Sequence, residues 1–391
     1  MPLVIDEQNN VILGNARLLA MIELGLTSVP VIRITHLDET MMRALIIADN
    51  QFCLNAEWYK KELRAELAEL QPLLAELGLQ LMDLGFEAAE IDIHLGDIGL
   101  PGQADDVPLP AIDLPAVTKP GDIWILGDHR LICGDAREDK VYQALMGGIS
   151  ADMVFADMPY NVPTSGHICG NGKIQHREFA MAAGEMDATG FIDFMVAIFS
   201  LLRRYSRDGS VHMQCMDWRH IHEILTAALQ AGYGHLNTVC WVKHAGGMGS
   251  LYRSQHEFVH IFKSGDAPHI NNVMLGKYGR NRTNVWHYEG ANSLSRARRG
   301  DLALHPTVKP VDMVADAIKD CSNRGGIILD PCGGSGTTLI AADQTGRIAC
   351  LIEIDPIYCD VIVRRWQQQT GGTAILEASG QPFVEQSGSE V

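Results

Sequence analysis

A doubly wound α/β fold is what this 391-residue sequence predicts for its longer part, with a small α+β unit ahead of it. Three observations carry that expectation. From residue 121 onward, short apolar runs alternate with amphipathic helical stretches, the order that builds a sheet covered by helices on both faces. Several of the runs are apolar throughout, as strands buried on both sides must be. One of them feeds a glycine-rich turn that opens a helix, at the sheet edge where such folds hold their ligands.

Taken in order, the N-terminal unit starts with a β-like run over 10–13 that stops at Gly14. A helical pattern follows through Arg17, Leu18, Leu19 and Met21, then a strand over 29–34. Helices are expected over 38–50 and 58–84. In the second, Leu63, Leu67, Leu70, Leu74 and Leu77 recur at helical spacing and predict a buried stripe, with a dimer helix as the alternative. Pro72 should kink it. Residues 98–120 carry Pro101, Pro108, Pro110, Pro115 and Pro120 and read as a semi-extended linker, so the first unit spans 1–97. Beyond it, strands are expected over 123–126, 130–133, 153–156, 211–215, 238–242, 258–262, 327–329 and 349–354. Helices are expected over 188–206, 218–231, 310–321, 337–345 and 356–369. The second domain closes at residue 375, and the polar stretch 376–391 reads as a loose tail.

Composition narrows the function. Hydrophobic residues make up 47% of the chain and charged ones 20%, so wholesale disorder is excluded. No apolar run approaches the roughly 18 residues of a membrane span. The opening residues lack the basic and apolar regions of a secretory leader. Nine cysteines without a repeated CxxC spacing indicate neither a disulfide framework nor a metal knuckle, which makes a reducing cytoplasm the default and no metal the expectation. The net charge of -17 argues against general stickiness towards nucleic acid. It is segregated, however. Residues 1–110 hold 18 acidic against 6 basic side chains, whereas 241–300 hold 9 basic against 3 acidic. A single basic stretch in an acidic chain predicts a local polyanion contact.

Chemistry concentrates in three places. The first is Asp330-Pro331-Cys332-Gly333-Gly334-Ser335-Gly336-Thr337-Thr338, after the run 327–329. Its glycines permit a tight turn and close ligand approach, and the helix start offers free N–H groups. No lysine follows for a P-loop, and Leu339 stands where a dinucleotide fingerprint wants glycine. The next strand ends in Glu353, placed to hold two ribose hydroxyls, while Asp355 before Pro356 reads as the helix cap and leaves Glu353 free. The expected ligand is a nucleoside with a carboxylate, a description that S-adenosylmethionine fits. The second place is the apolar run to Ala156 followed by Asp157-Met158-Pro159-Tyr160, a carboxylate, a rigid turn and an aromatic ring suited to a flat base and its exocyclic amine. The third is His305-Pro306-Thr307-Val308-Lys309-Pro310, by itself a helix start.

Together and in this order, these motifs resemble the DNA amino-methyltransferases of the β arrangement, in which DPPY precedes HPTxKP and DPFxGSGTT. The resemblance covers roughly 120–370 and implies a Rossmann-like S-adenosylmethionine-dependent methyltransferase sheet in permuted motif order. The strand–Gly14–helix opening resembles a ParB-like domain, with Asn15-Ala16-Arg17 where that pattern commonly has His or Glu and one or two arginines. What the resemblance implies is methyl transfer from S-adenosylmethionine to adenine N6 of a flipped-out base in DNA, as in restriction-modification, by direct displacement. Asp157 and the Met158 carbonyl would accept the amine's N–H bonds, Pro159 would stiffen the turn and Tyr160 would stack on the base. Asp330, Gly334, Ser335, Gly336, Thr337, Glu353, Thr307, Lys309 and Asp135 would hold the cofactor. The insert 264–304 would recognise the target, with Lys277, Arg280, Arg282, Arg298 and Arg299 on DNA. Met158 for the first proline of DPPY implies a less rigid turn and a lower rate; Cys332 for the aromatic implies weaker cofactor binding. Cytosine-N4 or RNA methylation, and a DNA-binding regulator with a vestigial catalytic half, are the alternatives. The homodimer stays open.

Overall fold

The structure is a computed structural model that describes residues 2–23, 26–52, 60–95, 115–162, 182, 184–244, 246, 251–273, 282–288 and 308–384. The chain forms two compact units, Met1–Ile98 and Gly99–Val391.

In the first unit β1 (Leu3–Ile5) pairs antiparallel with β2 (Val11–Leu13) and parallel with β3 (Val31–Arg33). Gly14, at φ +96°, turns the chain from β2 into α1 (Asn15–Glu23). Arg17 donates to the Pro2 carbonyl at 2.9 Å, which ties α1 to the chain just before β1. α2 (Glu39–Phe52), α3 (Lys60–Glu76) and α4 (Ala88–Leu95) complete the unit. Leu63, Leu67, Leu70 and Leu74 are buried as their spacing predicts. The expected helix 58–84 is shorter, however. α3 runs through Pro72 and ends at Glu76, Gly78 turns at φ +70°, and a separate 3-10 turn covers Leu81–Leu84. Leu77 therefore lies past the helix end and is exposed, not part of the stripe.

The second unit is a ten-stranded mixed sheet. β4 (Ile123–Leu126) and β5 (His129–Cys133) form a hairpin turned at Gly127. α5 (Asp139–Met146) leads to β6 (Ala151–Ala156), and α6 (Ala188–Arg204) to β7 (Ser206–Met216). α7 (Ile221–Gln230), β8 (Gly234–Val242), β9 (His256–Lys263) and β10 (Val285–His287) follow. Then come α8 (Val311–Cys321), β11 (Ile327–Asp330), α9 (Thr337–Gln344), β12 (Ile348–Glu353), α10 (Pro356–Thr370) and β13 (Ile375–Leu376). The order is β10-β8-β9-β7-β6-β11-β12-β5-β4-β13, with the five strands from β7 to β5 all parallel. One buried apolar layer joins α5, α6 and α7 to the sheet; a second joins α8, α9 and α10 to its other face. Helices thus cover both faces, as the apolar strands require.

Three features depart from expectation. α5 is an eight-residue helix, too short to show its period, that buries Val141, Tyr142, Leu145 and Met146. Residues 376–384, assigned to the tail, belong to the fold: β13 pairs with β4, and Phe383 is buried edge-on against Trp124 at 5.2 Å. At the end of the proline-rich stretch, the Val117 and Thr118 amides both donate to buried Asp360, which anchors the chain before β4.

Candidate active site

The tips of β6, β11, β12 and β5 open on one edge of the sheet, because these neighbours run parallel. The chain leaves β6 towards β7 in one direction and β11 towards β12 in the other, so the crevice between β6 and β11 is the topological switch point. A cavity of about 140 Å³ occupies it. At about 30 Å³ per water that is room for four or five waters, so the space between the tips is open. Of the expected site residues, Asp135, Asp157, Met158, Pro159, Tyr160, Lys309, Asp330, Gly334, Ser335, Thr337 and Glu353 all line it.

One wall is the glycine loop. Gly336 stands at φ +82° before α9, and a Cβ there would meet Ile362 at 3.2 Å. Only glycine satisfies both the backbone and the packing. The loop is held by bonds from the Gly333 amide to the Ile352 carbonyl at 2.8 Å and from Arg365 to the Ser335 carbonyl at 2.9 Å. Asp330 accepts from the Cys332 amide at 2.9 Å and from the Thr338 hydroxyl, and burial pushes its carboxyl up to about 7. Burial likewise pushes Glu353 up to about 7. Asp355 does cap α10, accepting from the Ile357 amide at 2.9 Å. Glu353 is nevertheless not free: one oxygen accepts from the Gly334 amide at 2.8 Å and the other from the Asp355 amide at 2.9 Å. Each oxygen keeps one further lone pair for another donor. Asp135, at the β5 tip, forms a 2.6 Å ion pair with Arg137 that holds its carboxyl low against the effect of burial.

The opposite wall carries charge. Asp157 follows β6; its Oδ2 accepts from Lys309 Nζ at 2.7 Å and its Oδ1 from the Tyr160 hydroxyl at 2.8 Å. Burial nonetheless pushes the Asp157 carboxyl above its ordinary value. Lys309, expected among the cofactor ligands, instead presents its ammonium to this side, 5.3 Å from the centre of the Tyr160 ring. Only its carbonyl approaches the loop, accepting from Thr337 Oγ1 at 3.5 Å. The Met158 side chain is buried in the apolar layer that includes residues of α6. Cys332 lines the cavity, and burial pushes its thiol well up, which keeps it neutral rather than a nucleophilic thiolate.

Sequence reasoning missed Glu257. On β9, it stands 3.3 Å from Lys309 Nζ and 3.1 Å from the Tyr160 hydroxyl, and it pairs with Lys243. The available signal was one acidic residue immediately before the expected strand 258–262.

Arg282, expected on DNA, turns inward. It pairs with Asp320 at 2.6 Å and Asp316 at 3.3 Å and stacks over Trp286 at 4.8 Å. It anchors the middle of the insert, where Tyr288 also binds Asp316 at 2.6 Å. Lys277, Arg280, Arg298, Arg299 and Thr307 lie outside the described residues. Among the described residues no His, Cys, Asp and Glu group is arranged to hold a metal, and no helix is long and apolar enough to cross a membrane.

A glycine cradle and an acidic strand tip at a switch point are the layout by which doubly wound proteins hold a nucleoside. The family model of the N6/N4 methylases, described as DNA methylase, matches residues 151–364, from the first residue of β6 into α10. That is more than half of the chain, and the chain belongs to this family. Type II methyltransferase M2.MboI of Moraxella bovis is 24% identical over 232 residues, covering 56% of this chain and 82% of its own. Type II methyltransferase M.ScaI of Streptomyces caespitosus is 36% identical over 91 residues, covering 23% of this chain and 30% of its own. Among solved structures, the cytosine-N4-specific PvuII DNA methyltransferase shows 13% identity and a TM-score of 0.48, over 64% of this chain and 90% of that one.

Proposed function

We propose that this protein transfers a methyl group from S-adenosylmethionine to the exocyclic N6 amine of adenine at specific sites in DNA. The observation that carries the reading is that Asp157 and Tyr160 face the same cavity as Glu353 and the glycine loop. The residues present suit the cofactor: the loop bends where a Cβ would clash, and Glu353 offers acceptors for paired hydroxyls. Gly334, Ser335 and Thr337 would hold its amino-acid end and Glu353 its ribose. Asp135, at the neighbouring tip, would stand beside its base. When bound, the cofactor supplies a methyl group activated by a positively charged sulfur.

The chain's own work is positioning. An exocyclic amine is a weak nucleophile because its lone pair is delocalised into the ring. Accepting its two N–H bonds, on Asp157 and the Met158 carbonyl, pulls the nitrogen towards tetrahedral geometry and frees the lone pair. Tyr160 would hold the base plane. That alignment would present the lone pair to the cofactor's activated methyl group, and the proton the amine then gives up would pass through Asp157 to water. Such alignment supplies most of the rate when the leaving group is already good. We assign Lys277, Arg280, Arg298 and Arg299 to DNA phosphates and base edges, and to residues 1–97, read as ParB-like, a DNA-positioning role. The cytoplasm, where such DNA lies, is the proposed compartment.

The test is to incubate the purified chain with labelled S-adenosylmethionine and unmethylated bacterial DNA and to digest the DNA to nucleosides. Label in N6-methyladenine is the expected result. Label in N4-methylcytosine overturns the choice of base. DNA binding without label overturns the enzymatic reading in favour of a regulator.

A further inference from the structure

The proposed reaction needs Asp157 as an acceptor, yet both of its oxygens already hold donors. Lys309 Nζ stands 2.7 Å from Oδ2 and the Tyr160 hydroxyl 2.8 Å from Oδ1. Each oxygen has a second lone pair, but an amine arriving on Oδ2 would share that oxygen with an ammonium that draws off its charge, unless the ammonium moves. Lys309 cannot retreat to water, since its side chain is only 5% exposed. A buried ammonium that gives up one carboxylate needs another. Glu257 is that second seat: its Oε2 is 3.3 Å from Lys309 Nζ on the side away from the glycine loop's strand, across the sheet on β9. Tyr160 links the two carboxylates, 2.8 Å from one and 3.1 Å from the other, and its one proton serves one of them at a time.

We propose that Glu257 is a positioning residue that takes the Lys309 ammonium when a nucleobase amine enters, so that Asp157 Oδ2 becomes free to accept the amine. This rests on the reaction proposed above. No bond is made or broken; the 2.7 Å contact opens as the 3.3 Å contact closes. The electrostatics favour the transfer. Burial works against charge on Glu257, but Lys309 and Lys243 outweigh it and hold its carboxyl at about 2. Asp157, by contrast, is pushed up by burial, with Glu257 adding to the rise and Lys309 opposing it. The other titratable groups facing Asp157 are Tyr160 and Cys215, with Asp330 and Cys332 on the loop side.

The experiment uses the full chain as wild type, Glu257→Gln and Glu257→Gln/Lys309→Met. The first readout needs no DNA: the Asp157 carboxyl is titrated by carbon-13 NMR. In Glu257→Gln the lysine has one anion left, and the Asp157 titration should fall by about one unit or more. An unmoved titration overturns the proposal. The second readout is methyl transfer. Glu257→Gln should lose about tenfold to a hundredfold in kcat, the scale of a misplaced reacting group, with cofactor affinity within about twofold of wild type. At pH 8.5 the double variant should run faster than Glu257→Gln, because the competitor for Asp157 is gone. Wild-type kcat in Glu257→Gln, or a double variant no faster than the single one, overturns the proposal. Should the titration move as expected while wild type methylates nothing, the coupling of the two carboxylates through Lys309 stands and the reaction assigned above falls.

Discussion

Two glutamates, one lining the cleft and one standing behind Lys309 and Tyr160, behave in opposite ways. Glu257 is held at about 2, Glu353 is lifted to about 7, and both are withdrawn from water. Their partners make the difference. Glu257 faces two ammonium groups, Lys309 and Lys243. Glu353 accepts from the backbone N–H groups of Gly334 and Asp355, and the neighbouring Asp355 and Asp330 carboxylates add to its rise. Hydrogen bonds from neutral donors do not repay the loss of hydration that a nearby cation repays. The side around Lys309 therefore keeps fixed charge. The glycine-loop wall keeps carboxyls that titrate near neutrality.

The contrast can be broken at four points. The largest effect should come from Asp157→Ala, which removes the acceptor from the charged wall. Methyl transfer should fall by about 10²–10⁴-fold while cofactor affinity, measured by calorimetry, stays close to wild type. Wild-type turnover in that variant would show that another group accepts the amine.

Next comes the titrating wall. The folded Asp330 carboxyl titrates at about 7 against an ordinary 3.8. Between those values the folded chain binds more protons than the unfolded one, so this group's contribution to stability falls as pH rises towards 7 and levels off above it. Three units correspond to a loss on the order of 3–4 kcal/mol. Asp330→Asn can still accept from the Cys332 amide and can donate to the Thr338 hydroxyl. Denaturant unfolding across this range should show a gain in the variant that grows towards pH 7. A constant difference would mean that Asp330 is not titrating there.

Gly336→Ala sharpens the comparison from the geometric side. A Cβ at φ +82° and 3.2 Å from Ile362 should cost about 1–2 kcal/mol and lower cofactor affinity roughly tenfold, without touching the charged wall. Unchanged affinity would separate the loop from the cofactor. The smallest effect on rate should be Met158→Pro. Its carbonyl remains, so turnover per folded molecule should stay near wild type, while the lost buried atoms cost about 1–2 kcal/mol in unfolding experiments. A large fall in turnover would mean that the Met158 side chain itself shapes the acceptor.

Much of this cleft is legible along the chain. Asp157, Glu353 and Gly336 each end or follow an apolar run, and that local pattern places them at strand tips before any fold is known. Arg282 and Lys309 show where such reading stops. Arg282 sits in the basic stretch, so its charge suggests DNA, but Asp316 and Asp320 on α8 claim it. Lys309 is only two residues from Thr307, yet its side chain reaches across to Asp157, 152 positions earlier. Short elements such as α5 and β10 escaped because one or two turns of helix, or three strand residues, carry too little periodicity to register.

By itself the sequence determined the doubly wound second unit, the order of its motifs and the residue types at the strand tips. These follow from local periodicity, turn chemistry and the need to bury apolar strands on both faces. The tertiary structure alone decided which charges meet. The pairing of β9 with β7 brings Glu257 to Lys309 and Tyr160, and only at those distances, out of water, do ionisation states and donor contacts depend on one another.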